Sequence, residues 1–98
     1  MKKINNKQLD DDIDEVLMAL VYIEDLKDMQ NFTNDLFTNK ELETIAMRWK
    51  AIRMLRTGIV YTKVAKATGM SSATISRLAK LLGNRAGGFN NMLEQMGA

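Results

Sequence analysis

Residues 61–82 read YTKVAKATGMSSATISRLAKLL, and the spacing inside this stretch decides how the chain folds. Val64 and Ala65 fall in one short helical segment, Gly69 comes four residues after Ala65, Met70 follows, and Ile75 and Leu78 lie ten and thirteen residues after Ala65. Each choice has a cause in a pair of short helices that meet at a sharp turn. The small Ala lets two helices approach closely, Gly takes a left-handed backbone that other residues avoid, and the later apolar pair locks the second helix onto the first. The spacing therefore predicts a helix-turn-helix over about residues 61–82.

A plain helical hairpin would share this core spacing, so the outward side of the second helix carries the functional argument. Ser71 is placed to cap that helix. Ser72, Ala73, Thr74, Ser76, Arg77 and Lys80 offer small, hydrogen-bonding and basic groups without one carboxylate. Small residues at a helix start let it enter the major groove of a duplex, about 12 Å wide, where hydroxyls bond to base edges and a Thr or Ala methyl meets thymine. Lys63, Lys66, Arg77 and Lys80 suit the phosphates on either side. Together with Ser71, these residues are the expected DNA-binding set.

Working outward, Thr38-Asn39-Lys40-Glu41 has the form of a capping box. Leu42, Ile45, Ala46, Trp49, Ile52 and Leu55 then follow at helical spacing as far as Arg56, with Gly58 as the stop and Arg48, Lys50, Arg53 and Arg56 on the exposed side. Nearer the start, Leu9, Ile13, Val16, Leu17, Leu20 and Ile23 predict a first helix from about Leu9 to Glu24. Asp10, Asp11, Asp12, Asp14 and Glu15 would stand in its first turns, where the helix dipole favours negative charge. Asp28 is expected to cap a second helix of about two turns bearing Met29, Phe32, Leu36 and Phe37. Phe89, Met92, Leu93 and Met96 predict a closing helix after a flexible Gly87-Gly88 joint.

Composition narrows the chemistry. A chain of 98 residues suits one domain, read here as residues 1–98, and buries only about 60–65 % of the surface it exposes when unfolded. With no cysteine and no histidine, a disulfide, a zinc site, a Cys-His dyad and a Ser-His-Asp triad are excluded. The Asp10–Asp14 run lacks the glycine and distal Glu of a calcium loop. No enzyme, metal or cofactor is therefore expected. Hydrophobic residues at 46 % and charged residues at 27 % match a packed soluble chain.

The net charge of +2 conceals a division: residues 1–46 carry five Lys against eleven Asp or Glu, net −6, whereas residues 47–98 carry nine Lys or Arg against Glu94 alone, net +8. The second half is thereby suited to a polyanion. The longest apolar run, Val16 to Ile23, is bounded by Glu15 and Glu24 and falls short of the roughly eighteen residues of a membrane span. Polar residues after Met1-Lys2-Lys3 do not read as a secretory leader. Cytoplasmic residence without a membrane partner is expected, and the order of residues 1–7 is left open.

From about Leu36 to Leu82 the sequence resembles the Trp repressor superfamily, most closely its YerC/YecD branch. The likeness is carried by Leu36-Phe37-Thr38, Glu41, Arg48, Arg53-Met54-Leu55-Arg56, Gly58 and the block Ala73-Thr74-Ile75-Ser76-Arg77. It implies an all-α, six-helix protomer forming an intertwined homodimer, with the fourth and fifth helices as the DNA reader. Members that answer to tryptophan hold it between the third and fifth helices. By resemblance Thr38 takes the place of the pocket threonine, Arg48 that of an arginine stacking on the indole, and Arg77 that of the arginine meeting the carboxylate. Leu78 and Leu81 stand where tryptophan binders have glycine and serine, filling space and removing a partner for the ligand's ammonium group. An unpaired buried ammonium costs several kcal/mol, so an L-tryptophan co-repressor is disfavoured.

These readings converge on a sequence-specific, DNA-binding transcriptional regulator, expected to be a repressor, acting on double-stranded DNA as a homodimer. One helix-turn-helix meets few base pairs, while a twofold pair reads half-sites about 34 Å apart. Leu9 to Ile23, Phe32, Phe37, Trp49 and Phe89 are the candidate interface and shared core, and the methionines are expected to be core filler. Two alternatives stand beside this reading. One is a protein-interaction module that turns the same basic face to an acidic partner; the other is a tryptophan-responsive repressor.

Overall fold

The computed structural model describes residues 6–97, in which six α-helices and no strand are found. The chain divides into two compact bodies, one up to Asn39 and one from Lys40 onward.

The first body holds α1 (Asn6–Tyr22) and α2 (Leu26–Leu36). α1 starts earlier than its apolar stripe predicts, because Lys7 and Gln8 are good helix formers that extend the pattern upstream. Its first turn consequently holds no acidic residue, and the expected dipole role of Asp10–Asp14 is corrected. Asn6 and Lys7 are helical; the other positions whose order the sequence leaves open, 1–5, lie outside the described residues. The cap of α2 is Asp25, not Asp28. Asp25 has an extended backbone (φ −124°, ψ 159°), and its carboxylate accepts the Asp28 N–H at 2.8 Å. Asp28 then sits in the first turn, where its charge suits the dipole, and α2 reaches eleven residues. No residue of α1 or α2 is buried. Val21 and Tyr22 are 85 % and 88 % exposed, beside an open hollow of about 960 Å³ bordered by Leu17, Met18 and the carboxylates of Asp14, Glu24 and Asp28.

The second body holds α3 (Asn39–Arg56) from its second residue onward, with α4 (Tyr61–Thr68), α5 (Ser72–Leu82) and α6 (Gly88–Gln95). Its core is Ala51, Ile52, Val64, Ile75, Leu78 and Leu93, each no more than 1 % exposed. Trp49, Met54, Leu55, Ile59, Met70 and Phe89 pack around it. The α3 stripe differs from the expected one: Ala51 joins Ile52 in the core, while Ile45 and Ala46 are exposed, since the core residues of α4, α5 and α6 gather on the later half of α3. Methionines divide likewise. Met54 and Met70 fill the core margin, whereas Met18, Met92 and Met96 are exposed.

α3 ends as its glycine predicts. Gly58 takes φ +84°, with Gly58 N–H donating to Leu55 O and Ile59 N–H to Met54 O, both at 3.1 Å. This pair of bonds satisfies two terminal carbonyls and turns the chain toward α4. At the other end, Gly87 is the extended cap of α6 and Gly88 its first helical residue, so the two glycines begin the helix instead of forming a joint before it. Trp49 and Phe89 rings lie 6.4 Å apart at a 39° tilt, which joins α6 to α3.

Candidate nucleic-acid interface

The turn between α4 and α5 is built from three backbone-directed contacts. Gly69 takes φ +72°, and its N–H donates to Ala65 O at 2.8 Å, closing α4 in the left-handed way its position predicts. Thr68 adds a contact that the sequence reading missed. Its hydroxyl donates to Val64 O at 2.7 Å and accepts the Met70 N–H at 3.3 Å, so one oxygen ties the end of α4 to the turn. A threonine directly before a helix-ending glycine is the signal that could have found it, because Thr bonds back to the carbonyl four residues earlier.

Ser71 then opens α5 with an extended backbone (φ −69°, ψ 156°), and its Oγ accepts the Thr74 N–H at 3.2 Å. The two hydroxyl oxygens also lie 2.9 Å apart. Ser71 is thus engaged within the helix start, and Thr74 is half-buried. The other expected groups stand clear: Ser72, Ala73, Ser76, Arg77 and Lys80 are exposed, as are Lys63 and Lys66 on α4. Positions 72, 76 and 80 repeat every four residues, with 73 and 77 beside them, which places them along one side of α5. Ile75 and Leu78 point into the core from the other side. The helix therefore presents hydroxyl, methyl and cationic groups outward from a rigid apolar seat. Among the described residues no cluster of metal-binding side chains occurs, and no helix is long and apolar enough to cross a membrane.

The family model for the Trp repressor protein matches residues 11–97. The chain belongs to the Trp repressor family. The uncharacterised protein YerC of Bacillus subtilis (strain 168) is 38 % identical over 80 residues, covering 82 % of this chain and 73 % of YerC. A crystallised TrpR-like protein from Eubacterium eligens superposes with a TM-score of 0.80 at 31 % identity, over 95 % of this chain and 96 % of that one. The Trp repressor family is a fold of helix-turn-helix DNA-binding regulators, and the six helices described above are its all-α architecture.

Residues at the family's effector positions are distributed as follows. Thr38 is exposed in the link before α3; Arg48 and Arg77 are exposed on α3 and α5. Leu78 lies in the core at 1 % exposure. Leu81 does not fill space in the way its apolar character predicts: it is 41 % exposed and borders a hollow of about 410 Å³ with Trp49, Phe89 and Met92. The α5 side chain that packs inward near this end is Leu82, four residues beyond Leu78 on the helical repeat.

Proposed function

We propose that the protein is a sequence-specific transcriptional regulator, acting as a repressor, whose α5 lies in the major groove of an operator. The observation that carries this reading is the outward side of α5, where Ser72, Ala73, Ser76, Arg77 and Lys80 are exposed together without a carboxylate. Ser72 and Ala73 near the helix start are small enough for close approach to base edges, Ser76 offers a hydroxyl one turn on, and Lys63, Lys66, Arg77 and Lys80 meet phosphates. Thr74 contributes its methyl and Ser71 holds the helix start in place.

The regulator works as a homodimer. α1 and α2 expose Leu9, Ile13, Leu17, Val21, Tyr22 and Leu26, a contiguous apolar investment that a solvated arm would not retain. In the second body Leu81 and Met92 are exposed beside Trp49 and Phe89, and Met96 is exposed as well. A second copy covering both surfaces supplies the missing core and places two reading helices one DNA turn apart, about 34 Å.

Selection of bound duplex from a random-sequence pool tests the reading. Enrichment of a sequence with twofold symmetry supports it. Weak, uniform binding to every duplex instead favours a module whose basic face meets an acidic protein.

A further inference from the structure

We propose that Asn90, on α6, is a positioning residue for the reading helix, fixing the far end of α5 relative to the body. This rests on the assignment of α5 to the DNA groove. The last carbonyls of a helix have no donor within it and must find one elsewhere. Here the Asn90 side-chain amide supplies it: Nδ2 donates to Leu82 O at 2.7 Å and to Asn84 O at 3.0 Å. One NH₂ group carries two hydrogens, so both bonds form at once. Aspartate has no donor for either carbonyl, and serine has only one.

The segment between the helices is shaped around the same carbonyl. Asn84 O also accepts the Gly87 N–H at 2.9 Å, while the Asn84 side chain accepts the Ala86 N–H at 3.2 Å. A Cβ at position 87 would lie 3.0 Å from Asn84 O, whereas one at position 88 would meet nothing within 4 Å. The glycine at 87 is thus the one whose side chain would push the latched carbonyl away. The polar latch and the steric constraint are independent observations, and both act on the link that ends α5.

Geometry connects this latch to reading. α5 has eleven residues and is about 16 Å long, so a tilt of about 10° pivoting on the Gly69 turn moves its far end by roughly 3 Å. Ser76, the base-facing hydroxyl of the proposed interface, and Arg77 stand at mid-helix and Lys80 in the last turn. The same tilt therefore moves Ser76 by more than about 1 Å against the base edges it is proposed to read, which phosphate contacts alone do not discriminate. Groups that recognise a fixed lattice must be held within about 0.5 Å and 10–20°. The turn holds one end of α5, and Asn90 holds the other.

The test uses the full chain carrying Asn90→Ala, with Gly87→Ala as a second variant that presses on the Asn84 carbonyl. Two readouts are taken: affinity for the duplex selected by the wild type relative to random duplex, and amide hydrogen exchange of residues 79–84 without DNA. In each variant the affinity ratio is expected to fall about tenfold, on the order of one mismatched base pair, with faster exchange confined to the end of α5. A merely structural role would lower both affinities together through the folded fraction and leave their ratio intact, and that result overturns the proposal. So does unchanged exchange. Failure of the wild type to enrich any duplex overturns the DNA reading itself, and the positioning role with it; normal enrichment with an unmoved ratio overturns the role of Asn90 alone.

Discussion

Ser71 and Thr74 are joined twice, by the Thr74 N–H on Ser71 Oγ at 3.2 Å and by hydroxyl oxygens 2.9 Å apart. The first contact caps α5, and the second fixes the Thr74 side chain at the start of the helix. Because the cap needs only an acceptor, its two consequences separate. Ser71→Ala should lower stability by about 1 kcal/mol in urea unfolding, with an unchanged slope. Ser71→Asp keeps the acceptor and the fold but places a negative charge at the proposed DNA surface. Its stability should stay within about 0.5 kcal/mol of wild type while duplex affinity drops. Equal affinity in Ser71→Asp would remove the start of α5 from the interface.

Gly69 and Gly88 form an internal comparison. A Cβ at either position meets nothing within 4 Å, but only Gly69 has a left-handed backbone, φ +72°. Gly69→Ala should therefore cost about 1–2 kcal/mol through backbone conformation alone. Gly88→Ala should be neutral or stabilising by up to about 1 kcal/mol, because it begins a helix. Denaturant midpoints of the two variants measure the difference directly.

Counterion release gives a quantitative signature. If Lys63, Lys66, Arg77 and Lys80 of both copies neutralise phosphates, log affinity should fall with log salt by a slope of about −7. Lys63→Ala or Lys80→Ala should reduce that slope by about 2 per dimer and weaken all sequences alike. Ser72 or Ser76 replacement should instead relax base preference at one position of the selected site. A flat salt dependence would count against DNA as the partner.

The exposed apolar side of α1 predicts the assembly state. Val21→Asp and Leu17→Glu place charge on a surface that the proposed dimer buries, and each should convert a dimer to monomer in sedimentation equilibrium at micromolar concentration. Lys7→Glu, at the polar start of α1, should leave the dimer intact. A wild type that sediments as a monomer would refute the paired reading helices.

Leu78 is part of the core, where the family's tryptophan binders have a glycine. Calorimetric titration with L-tryptophan should accordingly show no saturable heat. Saturable uptake would restore Thr38, Arg48 and Arg77 as an effector pocket.

The chain's local chemistry already determined the helix-turn-helix. Gly69 can take the left-handed turn without a side-chain penalty, Ser71 needs only its own following amides to cap α5, and the spacing of Val64, Ile75 and Leu78 follows from helix periodicity. These are short-range effects, carried within a few residues. Helix limits in the first body were less legible, since Asp25 and Asp28 are chemically equal caps until the backbone chooses which one is extended. Which side of α3 is buried, whether Leu81 or Leu82 turns inward, and the reach of Asn90 back to Leu82 and Asn84 were decided only by tertiary structure. Each depends on which helices arrive at a given surface, and one helical period leaves several apolar stripes equally eligible until neighbouring helices cover one of them.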